Sequence, residues 1–502
     1  MNDTAVQKSI FLIKMEEDHR WFLRMSVLFG VVFTICLYEN LSGITFPLIT
    51  AVLLLLSCLF LRRTGIRIRR DSLGYAGGIL LLGISTCMTD NMFFHFFNIV
   101  GIVLLFMMGM IHQMYEDKEW GFTEYVEKFF VMVGTWVVSI VAPFTQSVNN
   151  KEKTEKKSWK IDKNVKAAIA GILAALLFFL IVFPLLFTSD KIFQNMFVKA
   201  FHWLDPGILF REFDLGNLLG ILFTFLFGMF GLYSFFAGLF CMNLGEKKES
   251  GRGKINYVTG VAFTGVLAAV YLLYAGIQIV YLFLRLDTGL PDGMTYSQYA
   301  HEGFWQLLFV SIINFTAVII CIRIFEDKRI LKGLLCIVSL CTCVMILSAG
   351  YRMTLYVSEY QLTFLRVLVL WFLGVLMFIF FGVLYFIFRR NFRLFRYITL
   401  IVSVCYIGLS LMHVDQRIAE YNIANTQDMN EGDLNYLIYG LSKDAAPALA
   451  QIDLEKAENL WMISYLDDYF NQIRSEHEAM DLRSWNYSRS SAYRAAEEWN
   501  AG

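Results

Sequence analysis

Charge is what this 502-residue sequence has least of. Asp, Glu, Lys and Arg make up only 17% of the chain and hydrophobic residues 57%, whereas charged residues make up about 25% of typical soluble domains. A composition this apolar excludes a disordered or collagen-like chain. The 43 basic and 43 acidic residues cancel, which leaves no basic excess for binding nucleic acid. A chain with this few polar residues cannot cover a water-facing surface. Most of it therefore belongs in lipid.

Recognisable catalytic and metal-binding motifs are also missing. The chain has no P-loop, no zinc-hydrolase HExxH, no GxSxG and no EF-hand loop. Its nine cysteines all lie within apolar runs, so no external disulfide framework is expected. Cys341 and Cys343 have no His or carboxylate at ligand spacing. We therefore predict no catalytic residue, no cofactor and no metal site. Acidic residues 16–18 precede the first apolar run and no small-residue cleavage site follows it, which argues against a cleavable signal peptide.

Long apolar runs are abundant, and those of about 18 residues or more can cross a bilayer as helices. The runs lack the period-two alternation of membrane β-strands, and a helix satisfies its own backbone groups in lipid. Eleven spans are predicted, at 21–38, 42–61, 73–88, 92–112, 167–187, 215–243, 257–285, 304–324, 333–351, 361–388 and 397–413. The expected fold class is an all-α, polytopic α-helical integral membrane protein with a small helical extracytoplasmic C-terminal domain.

Basic residues set the predicted orientation. They cluster at 62–70, 151–166, 247–254, 328–332 and 389–396. With eleven spans and a cytoplasmic N-terminus, all of these connections lie on the cytoplasmic side, as the positive-inside rule requires. The short apolar segment 129–144 is interpreted as an interfacial or re-entrant helix, because a crossing there would move 151–166 outside.

The predicted organisation has four parts. Residues 1–113 form N-terminal membrane helices, 114–166 a cytoplasmic segment, 167–413 a second membrane helix bundle and 414–502 an acidic helical extracytoplasmic domain. The last part holds sixteen Asp and Glu against seven Lys and Arg, a net charge of −9, which leaves +9 for the rest. Turn residues at 425–432 and 442–444 separate its helical runs, and Asp444 is expected to cap a helix that has Pro447 in its first turn. A further helix is predicted at 456–474.

Eight polar residues near the outer ends of the spans form the candidate ligand site. They are Arg352, Tyr356, Glu359, Thr363, Arg366, Tyr299, His301 and Glu302. The first five recur at spacings of 4, 3, 4 and 3, so one continuous helix would place them on one face. We predict an external vestibule that binds an anionic or zwitterionic ligand through the two arginines. A purely structural interpretation stays open, in which the arginines reach the interface and pair with Glu359.

A single histidine, His95 in the fourth predicted span, has two possible roles. It fits a proton relay, or a hydrogen bond between helices. The second role needs no partner group beyond a neighbouring helix, and no other ionisable residue is adjacent to His95 in sequence.

Several ordered motifs resemble a bacterial multi-pass membrane family. That family is known only as domain of unknown function four-one-seven-three, with a sibling, four-one-five-three. The motifs are LPDGMTYSQYAHEGFWQLL (290–308), RMTLYVSEYQLTFLR (352–366), RIAEYNIA (417–424), DLNYLIYGLSKDAAPAL (433–449) and WNYSR (485–489). Gln361 stands where the pattern usually has Gly, and His301-Glu302 where it often has a basic pair. The resemblance covers about residues 165–499 and implies a bacterial plasma or inner membrane protein, without an established activity.

Three functions remain possible from the sequence. The first is a transporter- or permease-like protein. The second is an envelope interaction or signalling component whose acidic outer domain binds a protein partner. The third is a membrane enzyme, which the absence of catalytic motifs disfavours. The partners expected are the lipid bilayer, a small anionic or zwitterionic ligand and an envelope protein, but no nucleic acid.

Overall fold

The fold is described here from a computed structural model. It covers residues 9–115, 120, 122–143, 215–242, 255–280, 296–389, 391–426, 429–452, 460–478 and 480–501. Within these ranges the chain is helical, and a single parallel β-bridge joins Ile255 to Phe325. The all-α fold class is therefore confirmed. The predicted span 167–187 lies outside the described residues.

Twelve helices precede the acidic tail in the described ranges. They are α1 (Ile10–Glu17), α2 (His19–Leu37), α3 (Thr45–Arg63), α4 (Leu73–Met88), α5 (Met92–Met114), α6 (Phe122–Val138), α7 (Leu215–Cys241), α8 (Tyr257–Gln278), α9 (Tyr296–Ile324), α10 (Arg329–Tyr360), α11 (Phe364–Phe388) and α12 (Leu394–Leu411). All of them except α1 and α6 are long and apolar enough to cross a membrane. The chain is therefore a multi-pass membrane protein.

These ten helices correspond to ten of the eleven predicted spans. The third predicted span, 73–88, is short, but a 3-10 turn at Arg70–Ser72 extends it to 19 residues. Helix α10 differs most from expectation, because it runs for 32 residues where a span over 333–351 was predicted. Hydropathy finds the apolar centre of a helix and not its polar ends, which explains the difference.

The basic connections that the structure describes meet at one end of the helix bundle, which we call the basic end. Arg63 pairs with Asp18 at 2.7 Å, and the guanidinium of Arg69 donates to the carbonyl oxygen of Tyr115 at 2.8 Å. Further along the chain, Arg396 lies 3.1 Å from the ring of His112. Lysine and arginine side chains of distant connections thus share one end, as the predicted threading requires.

Two groups of helices build the membrane body. Helices α1 to α7 share one apolar core, rich in phenylalanine, and α8 to α11 form two smaller clusters of their own. Helix α12 packs against α4 of the first group and α11 of the second. Ring contacts add to this junction, since the Phe93 and Phe364 centroids lie 5.1 Å apart. Helix α12 therefore connects the two groups.

Helix α6 covers most of the segment predicted to be interfacial or re-entrant. Near its start, the ring of Tyr125 stacks on Phe395, in the first turn of α12, with centroids 4.5 Å apart. Near its end, Thr135 contacts Gly238, one turn from the last residue of α7. Both contacts lie close to the basic ends of other helices. They fit an interfacial position, which stays a prediction.

The acidic tail adds five short helices against the opposite end, which we call the tail end. They are α13 (Val414–Asn425), α14 (Glu431–Asn435), α15 (Ala446–Leu449), α16 (Leu460–Glu478) and α17 (Tyr487–Ala501). Leu466, Phe470 and Ile473 of α16 are buried on one face, as its apolar pattern predicts, with Met462 beside them. Their core also includes Phe94 of α5 and Leu409 of α12. The apolar interior of the tail is thus continuous with the membrane body.

The packing of α6 on α7 predicts a sensitive glycine. A Cβ atom at Gly238 would lie 2.8 Å from the backbone oxygen of Thr135, which cannot move aside as a flexible side chain would. We expect Gly238→Ala to destabilise the protein by about 1–3 kcal/mol through overpacking. The midpoint of thermal unfolding in detergent, followed by tryptophan fluorescence, measures the effect.

The matched control is Gly374→Ala in α11, where no atom lies within 4 Å of the added carbon. This control should unfold at the same temperature as the native chain or slightly above it, because alanine favours helix. Equal midpoints for both variants would contradict the close approach of α6 and α7.

Candidate functional site

Arg352 of α10 turns towards α8 inside the second helix group. Its Nη2 atom donates a hydrogen bond of 3.3 Å to Oε1 of Gln278, which also accepts a 2.5 Å bond from the Ser348 hydroxyl. Ser348 and Gln278 are both buried. A guanidinium in this position faces protein, which is how charged groups within membrane helices are usually accommodated.

A second set of polar contacts lies deeper between the same helices. The Tyr271 hydroxyl donates to Oδ1 of Asn314 at 2.7 Å, and Nδ2 of Asn314 donates to the Thr342 hydroxyl at 2.8 Å. These residues come from α8, α9 and α10. From Thr342 to Arg352 the helix rises by about 15 Å, at about 1.5 Å per residue. Polar groups therefore follow the interior of the second helix group towards the tail end.

The five polar residues between 352 and 366 do not share one continuous helix. Helix α10 ends at Tyr360, Gln361 has a φ of 64°, and α11 begins at Phe364. A positive φ is the conformation that glycine adopts most easily, which gives a physical reason for the glycine usual at this position in the resembling pattern. Here the Gln361 amide is held by a hydrogen bond to the hydroxyl of Thr426 in the tail.

Arg366 lies across this helix break. Its guanidinium donates to the backbone oxygens of Tyr360 and Gln361, and its carbon Cζ lies 4.2 Å from the centre of the Tyr356 ring. A cation on the last carbonyls of a helix satisfies unpaired acceptors and complements the helix dipole. Arg366 therefore has a structural role at the end of α10, where sequence reasoning predicted an anion partner.

The other predicted site residues are distributed around these two arginines. Tyr356 lies one helical turn from Arg352, so the structure brings three of the eight to the same region. Glu359 is exposed and forms no ion pair with a described residue. Thr363 precedes α11 without capping it through its side chain. Tyr299, His301 and Glu302 belong to the first turns of α9, and their side chains lie outside the described part of the structure.

The tail binds the turn between α10 and α11. Asn422 of α13 accepts a 3.0 Å hydrogen bond from the backbone nitrogen of Leu362 and donates one of 2.9 Å to its backbone oxygen. The hydroxyl of Tyr436 accepts from the backbone nitrogen of Phe364 at 2.9 Å. Tail side chains thus pair with the backbone groups that the helix break exposes. No sequence motif indicated these contacts.

A buried carboxylate, Asp444, joins the tail to the turn between α4 and α5. It accepts hydrogen bonds from the Thr89 hydroxyl at 2.6 Å, from the Asp90 backbone nitrogen at 2.8 Å and from the Ser488 hydroxyl. His413, whose φ is 48°, places its ring nitrogen 3.8 Å away. Burial raises the pKa of Asp444, but His413 and these donors outweigh burial, and the pKa lies below its ordinary value.

The prediction that Asp444 caps a helix is wrong. Ser442 caps the following turn instead, because its hydroxyl accepts from the Asp444 backbone nitrogen. Pro447 does lie in the first turn of α15, as predicted. The Asp444 side chain is directed at the membrane body, where Thr89 and Asp90 donate to it.

Asp415 is a second buried carboxylate where the tail meets the turn between α4 and α5, a contact region that we call the joint. One of its oxygens accepts bonds from Asn91 at 2.7 Å and from the nitrogen and hydroxyl of Ser442 at 3.0 and 2.6 Å. The other oxygen has no hydrogen-bond partner among the described residues. Burial raises the pKa of Asp415, the bonds from Ser442 oppose this only in part, and nearby Asp444 raises it further. The two carboxylates therefore shift in opposite directions.

Asn486, which directly precedes α17, also binds the membrane body at the joint. Its side-chain nitrogen donates at 2.9 Å to the backbone oxygens of Ser42 and of Thr89, in two different turns of the membrane body. The ring of His95 contacts that same Thr89 oxygen at 2.8 Å. His95 of α5 thus makes a hydrogen bond to the residue that ends α4, which is a hydrogen bond between helices, as one of its two predicted roles requires.

The hydrogen bonds to Asp444 predict how firmly the tail is held on the membrane body. Asp444→Asn replaces one acceptor oxygen with a donor that faces other donors, and leaving such buried groups unsatisfied costs about 1–3 kcal/mol. We expect trypsin to cut the tail of the membrane-embedded protein, for example at exposed Arg494, about tenfold faster or more. The control is Asp468→Asn on the exposed face of α16. Equal cleavage of the two variants would contradict a role for the carboxylate in holding the tail.

Comparison with known proteins gives a family but no activity. The profile of a family described as "Domain of unknown function (DUF4153)" matches residues 76–452. The match begins well before the motifs that carried the sequence resemblance, and it ends before the WNYSR motif. No curated protein and no solved structure matches the chain. The matching profile is that of the sibling noted above, and it covers well over half of the sequence, so the chain belongs to the DUF4153 family.

Proposed function

We propose that this protein is a transporter- or permease-like membrane protein that binds a small anionic or zwitterionic ligand from the tail side. The observation that carries the proposal is the direction of Arg352, which faces Gln278 and Ser348 inside the second helix group. An arginine needed only for membrane anchoring would extend to the interface instead. Arg352 is the anion partner in this proposal.

The polar contacts beneath Arg352 support a route for a polar ligand. Tyr271, Asn314 and Thr342 continue the line of hydrogen-bonding groups towards the middle of the helices. Such groups hydrogen-bond between membrane helices, and in this proposal they also line the ligand route. The division of the body into two helix groups, joined by α12 and the tail, also fits a protein in which one group moves relative to the other.

The remaining predicted site residues have narrower roles in this proposal. Arg366 and Tyr356 shape the outer wall of the vestibule, because they hold the end of α10. Tyr299, His301 and Glu302 remain candidate ligand residues of α9 on the sequence pattern alone. Glu359 and Thr363 contribute only to the polar rim.

Thiol labelling tests whether the region beside Arg352 is wet and attracts anions. Ser348→Cys places a thiol one turn from Arg352, and the native chain reports the background from its own cysteines. We expect an anionic, membrane-impermeant methanethiosulfonate to react about tenfold faster than its cationic analogue, since a unit charge at this range is worth about 1–2 kcal/mol. Mass spectrometry of the intact protein measures both rates.

The control variants are made in the same Ser348→Cys background. Adding Arg352→Gln should bring the ratio of the two rates close to one, whereas Arg417→Gln, an exposed arginine at the tail end, should leave it unchanged. Transport is then tested by current from proteoliposomes given phosphate, acetate, glutamate or glycine betaine, and at least one current should require Arg352. A thiol that stays unlabelled in the folded protein, or an absence of any Arg352-dependent current, would contradict the proposal.

We also propose that the basic end faces the cytoplasm of a bacterial cell and that the tail lies outside it. The clustering of Lys and Arg at one end supports this orientation through the positive-inside rule. Alkaline phosphatase fused after residue 501 should be active, because it folds only outside the cytoplasm. The same reporter fused after residue 388, at the basic end of α11, should be inactive. The reverse pattern would overturn the orientation.

A second function, binding of an envelope protein by the tail, is supported by a different observation. The tail carries a net charge of −9, and Tyr439 on its surface is 71% exposed. Exposed tyrosines in a charged surface are common at protein interfaces. This function requires no ligand route. A change in the tail that abolishes binding of the envelope protein should therefore leave the Arg352-dependent current intact, and this result separates the two functions.

A further inference from the structure

A cavity of about 330 Å³ lies in the tail beside the membrane body, and we call it the tail cavity. It is lined by Lys443, Ile473, Glu476, His477, Met480, Ser484 and Arg489. Next to Ser484, the guanidinium of Arg483 donates to the backbone oxygen of Ile35 in the last turns of α2 at 3.2 Å. Arg489 binds Asp90, between α4 and α5, at 2.7 Å. The cavity therefore lies at the level where these spans end.

The charges in the tail cavity are of both signs. Lys443 forms an ion pair with Glu476, and Gln472 donates a 2.8 Å bond to the other oxygen of Glu476. Burial raises the pKa of Glu476, but the hydrogen bonds from Lys443 and Gln472 outweigh it and hold the pKa below its usual value. Glu476 is thus ionised at neutral pH, opposite an ammonium group.

Two further lining groups retain hydrogen-bonding capacity. Arg489 uses Nε for Asp90, and its two Nη groups have no hydrogen-bond partner among the described residues. The ring of His477 stacks on Tyr493 with centroids 4.0 Å apart, and its buried Nδ1 atom also lacks a partner within the described part of the chain. The Arg489 side chain is one-third exposed, so its Nη groups are accessible to a ligand in the cavity. A buried nitrogen such as His477 Nδ1 is normally satisfied in proteins, so its lack of a partner beside a cavity points to a ligand.

We propose that the tail cavity binds a phosphoethanolamine headgroup. The phosphate lies against Lys443 and the Nη groups of Arg489, and the ammonium lies against Glu476. When a zwitterion takes the place of the contact between Lys443 and Glu476, each of these side chains still faces a group of opposite charge. A purely anionic ligand would place a negative charge beside Glu476, and a purely cationic one would place a positive charge beside Lys443, and like charges repel.

The surroundings of the cavity favour a membrane lipid as the source of this headgroup. Leu482, two residues from Ser484, is 88% exposed, and Ile35 is 59% exposed on the outer surface of α2. Val31, one turn deeper on α2, is also exposed. An acyl chain can follow this apolar surface into the bilayer while the headgroup occupies the cavity.

Lipid binding to the purified full-length protein tests the proposal. Native mass spectrometry in detergent compares phosphatidylethanolamine, phosphatidylglycerol and water-soluble glycerophosphoethanolamine. We expect phosphatidylethanolamine to bind at least tenfold more tightly than the other two. Glu476→Gln and Lys443→Gln should each lower that affinity about tenfold or more, since each removes a charge-assisted contact.

The matched control is Glu478→Gln, an exposed carboxylate on the same helix. It should bind lipid as the native chain does, and thermal unfolding without added lipid should show that all three variants are folded. Preference for phosphatidylglycerol would make this an anionic-lipid site and overturn the proposal. Equal binding of glycerophosphoethanolamine would overturn a lipid source, and binding that Glu476→Gln leaves unchanged would overturn the site.

Discussion

The carboxylate of Asp444 joins three parts of the chain that are far apart in sequence. It binds the turn between α4 and α5 through Thr89 and Asp90, and it binds α17 through Ser488. A buried carboxylate is stable only when donors surround it, so each of these parts must be in place for the others to be. Around this joint, Asn486 and Asp415 add contacts to the same turns. The position of the whole tail on the membrane body follows from it.

Both helix groups combine ring packing with hydrogen bonds between helices. In the first group, Phe22 lies against Phe60 with centroids 4.9 Å apart, and the buried amide of Asn98 in α5 donates to the Thr86 hydroxyl of α4 at 3.0 Å. In the second group, the amide of Asn314 donates to the Thr342 hydroxyl. Ring packing fills space and gives one favoured arrangement, whereas each polar contact within a membrane contributes only modestly.

The sequence was sufficient for the number, type and approximate limits of the described spans. Length and apolarity determine a membrane helix locally, so neighbouring residues carry that information. The spans at 333–351 and 361–388 predicted a connection between them, but its position at Gln361 was not predictable, because a periodic polar pattern continues across it and the contact that stabilises it comes from Thr426. The ligand site itself stays a prediction, although its two arginines have different surroundings. Arg352 faces the interior, but Arg366 belongs to the end of α10. Asp444 was misread as a helix cap because its partner Thr89 is 355 positions away in sequence.

That separation has a consequence for how the protein is made. Ribosomes add about 5–20 residues per second, so roughly 20–70 s pass between the synthesis of Thr89 and that of Asp444. During that time the first spans are already in the membrane, and the polar turn between α4 and α5 is without its carboxylate. The first helix group must therefore persist as an assembly intermediate whose outer surface is hydrated. The tail, which is synthesised after these spans, then brings Asp444 to that turn.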